Sequence, residues 1–274
     1  MALPAHNILP EPTLAVHGPF AEDHILLCRA VRAAGAIALD HFKRGVESWD
    51  KSPNNPVSHA DLEVDYFLHS VLTKARRDYG WLSEESAAKN GGTEAHRAFV
   101  VDPIDGTRSF LRGRPEFAVS AAVIAEGTPR SAVVFNPATD EFFEAIAGGG
   151  ARLNGEPIHV ARHNSIAGTK MLVSWREFQK LCERGAFVGC EMTPIGSIAY
   201  KIALVAAGKA GAVVALAPKN DWDLAAAQLL LTEAGGKITD SKGQTLNYTG
   251  AGHSCVVAAD PALHALLLGR ISET

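Results

Sequence analysis

The chain has 274 residues, with 26 Lys+Arg against 30 Asp+Glu and a formal charge of −4 at pH 7, so it lacks the basic footprint of a nucleic-acid binder. At 47% hydrophobic and 20% charged residues it can bury a core as one large domain or two small ones, which excludes disorder over most of its length. Its four cysteines, Cys28, Cys182, Cys190 and Cys255, form no C-x-x-C pair and no Cys/His cluster at zinc-ligand spacing, so neither a disulfide framework nor structural zinc is expected.

Residues 1–20 are Pro-rich and aperiodic and read as an N-terminal arm. They carry no basic segment followed by an apolar one, and no later apolar run reaches the about 18–20 clean residues of a membrane span. A soluble cytoplasmic protein is expected. Ile25, Leu26, Ala30, Ala33, Ile37, Ala38 and Phe42 recur at helical spacing and predict a core-facing helix over 21–44. Turn residues make 52–56 a loop. Leu62, Val64, Phe67, Leu68, Val71, Leu72 and Ala75 predict a second helix. The period then changes: Phe99-Val100-Val101, 117–124, 131–135 and 141–146 read as strands, and Asn154-Gly155 marks a two-residue hairpin. Helices return at 197–207 and 222–234, the second stopped by Gly235-Gly236. Short strands follow at 237–239 and 255–259, and Asp260-Pro261 opens a last helix. The pattern implies a layered α/β chain, with an N-terminal lobe over 21–150 and a C-terminal lobe over 151–274.

The run Val100-Val101-Asp102-Pro103-Ile104-Asp105-Gly106-Thr107 carries the most chemistry. A hydrophobic strand delivers two carboxylates, which repel each other unless a cation lies between them. Pro103 stiffens the turn and leaves the Ile104 carbonyl able to point with the acids. Such a donor set suits a hard divalent ion, Mg²⁺ above all. Two other acidic segments support this reading: Glu84-Glu85 after Trp81-Leu82, and Asp221-Trp222-Asp223 at the start of a helix, where an acid also serves as a cap.

Together these segments resemble the inositol monophosphatase superfamily of Mg²⁺-dependent phosphomonoesterases. The resemblance rests on DPIDGT at 102–107, LSEES at 82–86, Asp61 in VSHAD and the LNG hairpin at 153–155. It extends through GSIAYKIALVAAG at 196–208 and WDLAAAQLLLTEAGG at 222–236, all in the family's order. It implies an αβαβα sandwich of the inositol monophosphatase and sugar phosphatase type, with largely antiparallel sheets. Carried over residue by residue, it places a first Mg²⁺ on Glu84, Asp102 and the Ile104 carbonyl. Asp102, Asp105 and Asp223 hold a second, for two to three ions in all. Asp61 and Thr107, with Glu84, activate the attacking water. Gly106, Thr107, Gly196, Ser197, Lys201 and Asp223 contact the substrate. Li⁺ inhibition and a homodimer are further implications, and no nucleic-acid polymer or membrane is expected as a partner.

The substrate follows less directly. Inositol-specific members carry a Glu seven residues before the helix-opening Asp, and this chain has Leu216 there. LSEES, Pro218-Lys219-Asn220-Asp221-Trp222-Asp223 and Lys201 instead resemble the bacterial 3′(2′),5′-bisphosphate nucleotidase (CysQ-like) branch, so hydrolysis of 3′-phosphoadenosine 5′-phosphate to AMP ranks first. Inositol-1-phosphate or a relaxed sugar phosphatase activity ranks second and histidinol phosphate third. A phosphate-ligand-binding regulatory protein of the same fold is the non-enzyme alternative. Lys201, Arg108, Arg112 and Arg114 are candidates for a second phosphate, although solvated arginines are the commoner case. His59 and Gly148-Gly149-Gly150 are read as a turn-packing residue and a connector.

Overall fold

The computed structural model describes residues 17–52, 55–86, 95–183 and 187–272. The arm expected over 1–20 falls outside them up to residue 16.

Helix α1 runs over Ala21–Arg44 and α2 over His59–Ala75. Between them Ser48–Ser52 (β1) and Asn55–Ser58 (β2) pair as antiparallel strands, so residues 52, 55 and 56 of the segment read as a loop lie in strands, and 53–54 fall outside the described residues. The burial stripe of α1 is centred on Leu27, Val31, Ala34 and Ala38 and includes Asp23 and His24, a polar pair that apolar periodicity passes over. Asp23 is tolerated inside because Arg76 Nε (2.7 Å) and Tyr79 Oη (2.8 Å) donate to its carboxylate.

A seven-stranded sheet is formed by Gly80–Ser83 (β3), Arg97–Asp105 (β4), Ala118–Ala125 (β5), Thr128–Asn136 (β6), Glu141–Ile146 (β7), Gly150–Leu153 (β8) and Glu156–Pro157 (β9), in that order. Its pairs are antiparallel except β3 with β4, and a short helix, Thr107–Leu111 (α3), separates β4 from β5. β8 and β9 meet across Asn154-Gly155, both with positive φ (49° and 89°), the conformation that favours Asn-Gly in such a turn. The strands read as continuous apolar runs because both faces of the sheet are covered. Phe99, Val101, Val119 and Val133 face α1 and α2, whereas Ala98, Val100, Ala122 and Val134 face Ile198–Ala206 (α5) and Asp221–Glu233 (α6).

A second sheet has the order β11-β10-β12-β14-β13, from Lys170–Val173 (β10), Glu191–Pro194 (β11), Ala212–Ala215 (β12), Lys237–Asp240 (β13) and Val256–Ala259 (β14). It closes the other side of α5 and α6, and Trp175–Glu183 (α4) and Pro261–Ser272 (α7) cover its far face. The layers are therefore αβαβα, as expected. The second sheet is mixed rather than antiparallel: β10 runs parallel to β11 and β12, because a helical crossover separates each from the next. Residues 175–184 and 189–194, read from the sequence as loops shaping the leaving-group pocket, carry α4 and β11, and β10 and β12 escape sequence reading because each is only four residues long. In α7 the Asp260 carboxylate caps the helix, accepting from Ala262 N at 3.1 Å.

Candidate active site

The acids on β4 stand three residues apart, a spacing that puts side chains on opposite faces of a regular strand. The pairing with β5 breaks between Asp102 and Asp105, where Pro103 lacks a ladder N–H, and both carboxylates line one cavity. That cavity, of about 500 Å³, is also lined by Glu84, Gly106, Thr107, Gly196, Ser197, Lys201 and Asp223. One carboxylate oxygen each of Asp102, Asp105 and Asp223 lies within 4.8 Å of the others.

One oxygen of several acids is given to the scaffold, by distant partners for Asp105 and by local capping for Asp61 and Asp223. Asp105 Oδ2 accepts from Ser197 Oγ and Ala199 N, both at 2.6 Å, at the start of α5. Asp61 and Asp223 are the acids of two capping boxes: Asp61 Oδ2 accepts from Ser58 N at 2.9 Å, and Asp223 Oδ2 from Asn220 N at 2.6 Å. The remaining oxygens are left for chemistry. Asp102 Oδ1 is buried without a hydrogen-bond partner, which an anionic carboxylate tolerates only beside a cation. These hard oxygen donors fit Mg²⁺.

The electrostatics agree. Burial, with Glu84, Asp105 and Asp223 as like charges, holds the Asp102 carboxyl well above the usual carboxylate range. Burial also pushes Glu84 up to about 7, reinforced by Glu85 and opposed by Lys51 at 3.4 Å. Asp223 is raised to about 7 by burial and then by Asp105. Such a cluster wants positive charge.

Thr107 Oγ1 lies 3.2 Å from Asp61 Oδ1 and 3.1 Å from the Ile104 carbonyl, so its single proton is shared between two acceptors. Gly106 and Gly196 are required by close approach. Gly106 has φ 97°, and a Cβ there would lie 2.9 Å from the Glu116 carbonyl. A Cβ on Gly196 would collide with Ser109 Oγ and stand 2.7 Å from the same carbonyl. Gly196→Ala is therefore expected to destabilise the chain by about 1–3 kcal/mol and to reduce turnover, as read by thermal melting and phosphate release.

Lys201 is 3% exposed, and its ammonium makes no hydrogen bond or close ion pair among the described residues. Burial lowers its ammonium to about 8, against the fields of Glu177 and Asp105. Arg108 and Arg112 line the cavity and Arg114 does not; its guanidinium stacks on Trp175 at 5.1 Å. His59 packs its ring on Trp49 at 5.0 Å, away from the cavity. The Gly148–Gly150 connector gives its N–H groups at 148 and 150 to the Glu233 carboxylate, each at 2.9 Å.

Sequence reading misses four contributors. Asp65, one helical turn after Asp61, accepts from Ser83 and Ser86 Oγ and so fixes the segment that presents Glu84. Lys51 reaches Glu84 and Glu85 from the β1–β2 ribbon. Arg176 and Lys219 join the cavity rim. Only the Asp61/Asp65 spacing is visible in the sequence.

The model of the inositol monophosphatase family matches residues 21–274. An inositol-1-monophosphatase of Rhizobium meliloti is 39% identical over 204 residues, 70% of this chain and 75% of that protein. The Nus factor SuhB of Xylella fastidiosa is 35% identical over 80% of this chain and 82% of its own. Among solved structures, the extragenic suppressor protein suhB of Bartonella henselae superposes with a TM-score of 0.79 at 27% identity, over 90% of this chain and 97% of that one. The Thermotoga maritima IMPase gives 0.78 at 27% identity, over 90% and 95%. Matched by sequence over nearly all its length and by fold in all five layers, the chain belongs to the inositol monophosphatase family of phosphatases.

Proposed function

We propose that this chain is a Mg²⁺-dependent phosphomonoesterase whose substrate carries a second anionic group, with 3′-phosphoadenosine 5′-phosphate as the best fit. The supporting observation is the charge layout of the cavity. Its floor is acidic, from Glu84, Asp102, Asp105 and Asp223, and its rim is cationic, from Arg108, Arg112, Arg176 and Lys219. Arg108 is held below the usual guanidinium range by burial and then by Arg176 and Arg112, as expected where like charges gather to meet an anion. A polyol gains no carboxylate at Leu216, whose N–H donates to the buried Glu177 at 2.8 Å. A site without that partner discriminates weakly for inositol.

Glu84, Asp102, Asp105, Asp223 and the Ile104 carbonyl would hold two to three ions, which would supply charge neutralisation and a more acidic water. The chain's own residues do the rest. Thr107 Oγ takes the proton of the attacking water and passes its own to Asp61 Oδ1. Burial raises the Asp61 carboxyl despite its bonds from Ser58 and Thr107, which makes it a better acceptor. Gly106 and Thr107 N–H groups hold the transferred phosphate, and Gly196 and Ser197 shape the opposite wall. Lys201 tempers the acid floor and adds positive charge toward the substrate. Li⁺ inhibition and a homodimer belong to the same reading. A cytoplasmic setting is supported by four free cysteines, and no described helix is long and apolar enough to cross a membrane.

The relative named inositol-1-monophosphatase makes inositol-1-phosphate the second reading. The test is Mg²⁺-dependent phosphate release from 3′-phosphoadenosine 5′-phosphate, inositol-1-phosphate and histidinol phosphate. The bisphosphate is expected to have the highest kcat/KM. Arg176→Ala is expected to raise its KM about tenfold, the loss of one charged hydrogen bond, and to leave inositol-1-phosphate unaffected. A higher kcat/KM for inositol-1-phosphate overturns the substrate assignment. Release from none of the three favours a phosphate-binding regulatory protein, a role compatible with relatives named Nus factor.

A further inference from the structure

Outside the acidic cavity, the chain buries a second group of metal-ligating side chains. His24 and Cys28 stand one helical turn apart on α1, and Glu144 reaches them from β7. All three are buried, and none lines the cavity. His24 Nε2 lies 3.3 Å from Glu144 Oε2 and 3.5 Å from Cys28 Sγ, and Cys28 Sγ lies 3.3 Å from Glu144 Oε2. Tetrahedral zinc with bonds of about 2.0 Å to N and O and about 2.3 Å to S separates its ligand atoms by about 3.3 Å for N···O and about 3.5 Å for pairs that include sulfur. The observed triangle has those edges, with the S···O edge slightly short.

Two further features fit the chemistry. The outer ring nitrogen, His24 Nδ1, lies 2.9 Å from Ser131 Oγ on β6, and as an N–H donor to that hydroxyl it leaves the Nε2 lone pair facing Cys28 and Glu144. A thiolate and a carboxylate together carry the charge that cancels one divalent ion, and Arg32, one turn on along α1, favours the thiolate.

We propose that His24, Cys28 and Glu144 form a zinc-type metal site between α1 and the seven-stranded sheet. Binding breaks the Cys28 S–H bond and releases its proton to solvent, while His24 Nε2 and Glu144 Oε2 donate lone pairs. Three protein ligands with one exchangeable position is a count zinc accepts. The ion ties α1 to β7 and keeps an imidazole, a thiolate and a carboxylate satisfied within one interface. The acidic cavity, built only of hard oxygens, selects a different ion.

Cobalt is the probe, because only a sulfur ligand gives a thiolate-to-cobalt charge-transfer band. The full chain is produced in cobalt-supplemented minimal medium, so that the ion enters during folding, and is then dialysed against EDTA. About one retained cobalt per chain with a near-ultraviolet charge-transfer band is expected. The band is expected to vanish in Cys28→Ser and to persist in Cys182→Ser, at an exposed thiol, and in Asp102→Asn, at the acidic cavity. Wild-type protein without the band overturns the proposal, as does a band that survives in Cys28→Ser. If Cys28→Ser does not fold, Glu144→Gln provides the same reading through loss of retained cobalt, and full retention there overturns the proposal.

Discussion

Asp102→Asn is expected to abolish Mg²⁺-dependent phosphate release while raising the melting temperature of the metal-free chain. The two effects have one cause. Asp102 is buried, its Oδ1 has no hydrogen-bond partner, and Glu84, Asp105, Asp223 and Asp61 all act on it as like charges. An amide of the same shape removes that repulsion, so the fold without metal gains. It also removes the central charge of the cation site, where several kcal/mol of transition-state stabilisation are at stake. At about 1.4 kcal/mol per decade, kcat falls by about a thousandfold or more. Phosphate-release assays and calorimetry in EDTA read the two outcomes. Activity within tenfold of wild type would remove Asp102 from the site, and a lower melting temperature in EDTA would refute the electrostatic argument.

The fall of stability with rising pH is expected to be smaller with Mg²⁺ than without it. Glu84 and Asp223 are raised from 4.5 and 3.8 to about 7 in the folded chain. Between those values the folded state binds more protons than the unfolded state, so stability of the metal-free chain falls as pH rises toward 7. Mg²⁺ needs the deprotonated acids, and its stabilisation therefore grows over the same window. At a hundredfold excess over Kd a ligand adds about 2.7 kcal/mol. For a chain of this size that is about 5 °C in Tm. Melts with Mg²⁺ and with EDTA are expected to differ by about this amount at pH 8 and by little at pH 5. Equal differences at the two pH values would mean that Mg²⁺ does not displace protons from these acids.

The site was largely legible because its chemistry sits in contiguous runs. Asp102–Thr107 carries two acids, a carbonyl and a hydroxyl, and Asp223 opens a helix whose apolar run is unmistakable. The rim was legible only in Arg108 and Arg112. Arg176 lies on α4, a nine-residue helix that follows a four-residue strand, and neither has a periodic signature long enough to read. The buried stripe of α1 was read in part: Ala30 and Ala38 are buried as expected and Leu26, Ile37 and Phe42 pack against the core, whereas Asp23 and His24 are buried because partners from distant segments satisfy them. The absence of zinc-ligand spacing among the cysteines likewise says nothing of Glu144, which is 116 residues from Cys28.

The sequence by itself determined the family, the layered α/β class and the acids of the cavity, because each depends on residues close together in the chain. Strand β4 ends in two acids whatever surrounds it, and Ser58 with Asp61 and Asn220 with Asp223 are local capping boxes. Tertiary structure decided which oxygen of Asp105 remains available, since Ser197, 92 residues away, takes the other. It also decided that Lys201 is buried and that the arginines from α4 and from the helix after Thr107 share one rim. Those outcomes depend on contacts between segments with no local signal for each other, and only packing five layers together brings them within reach.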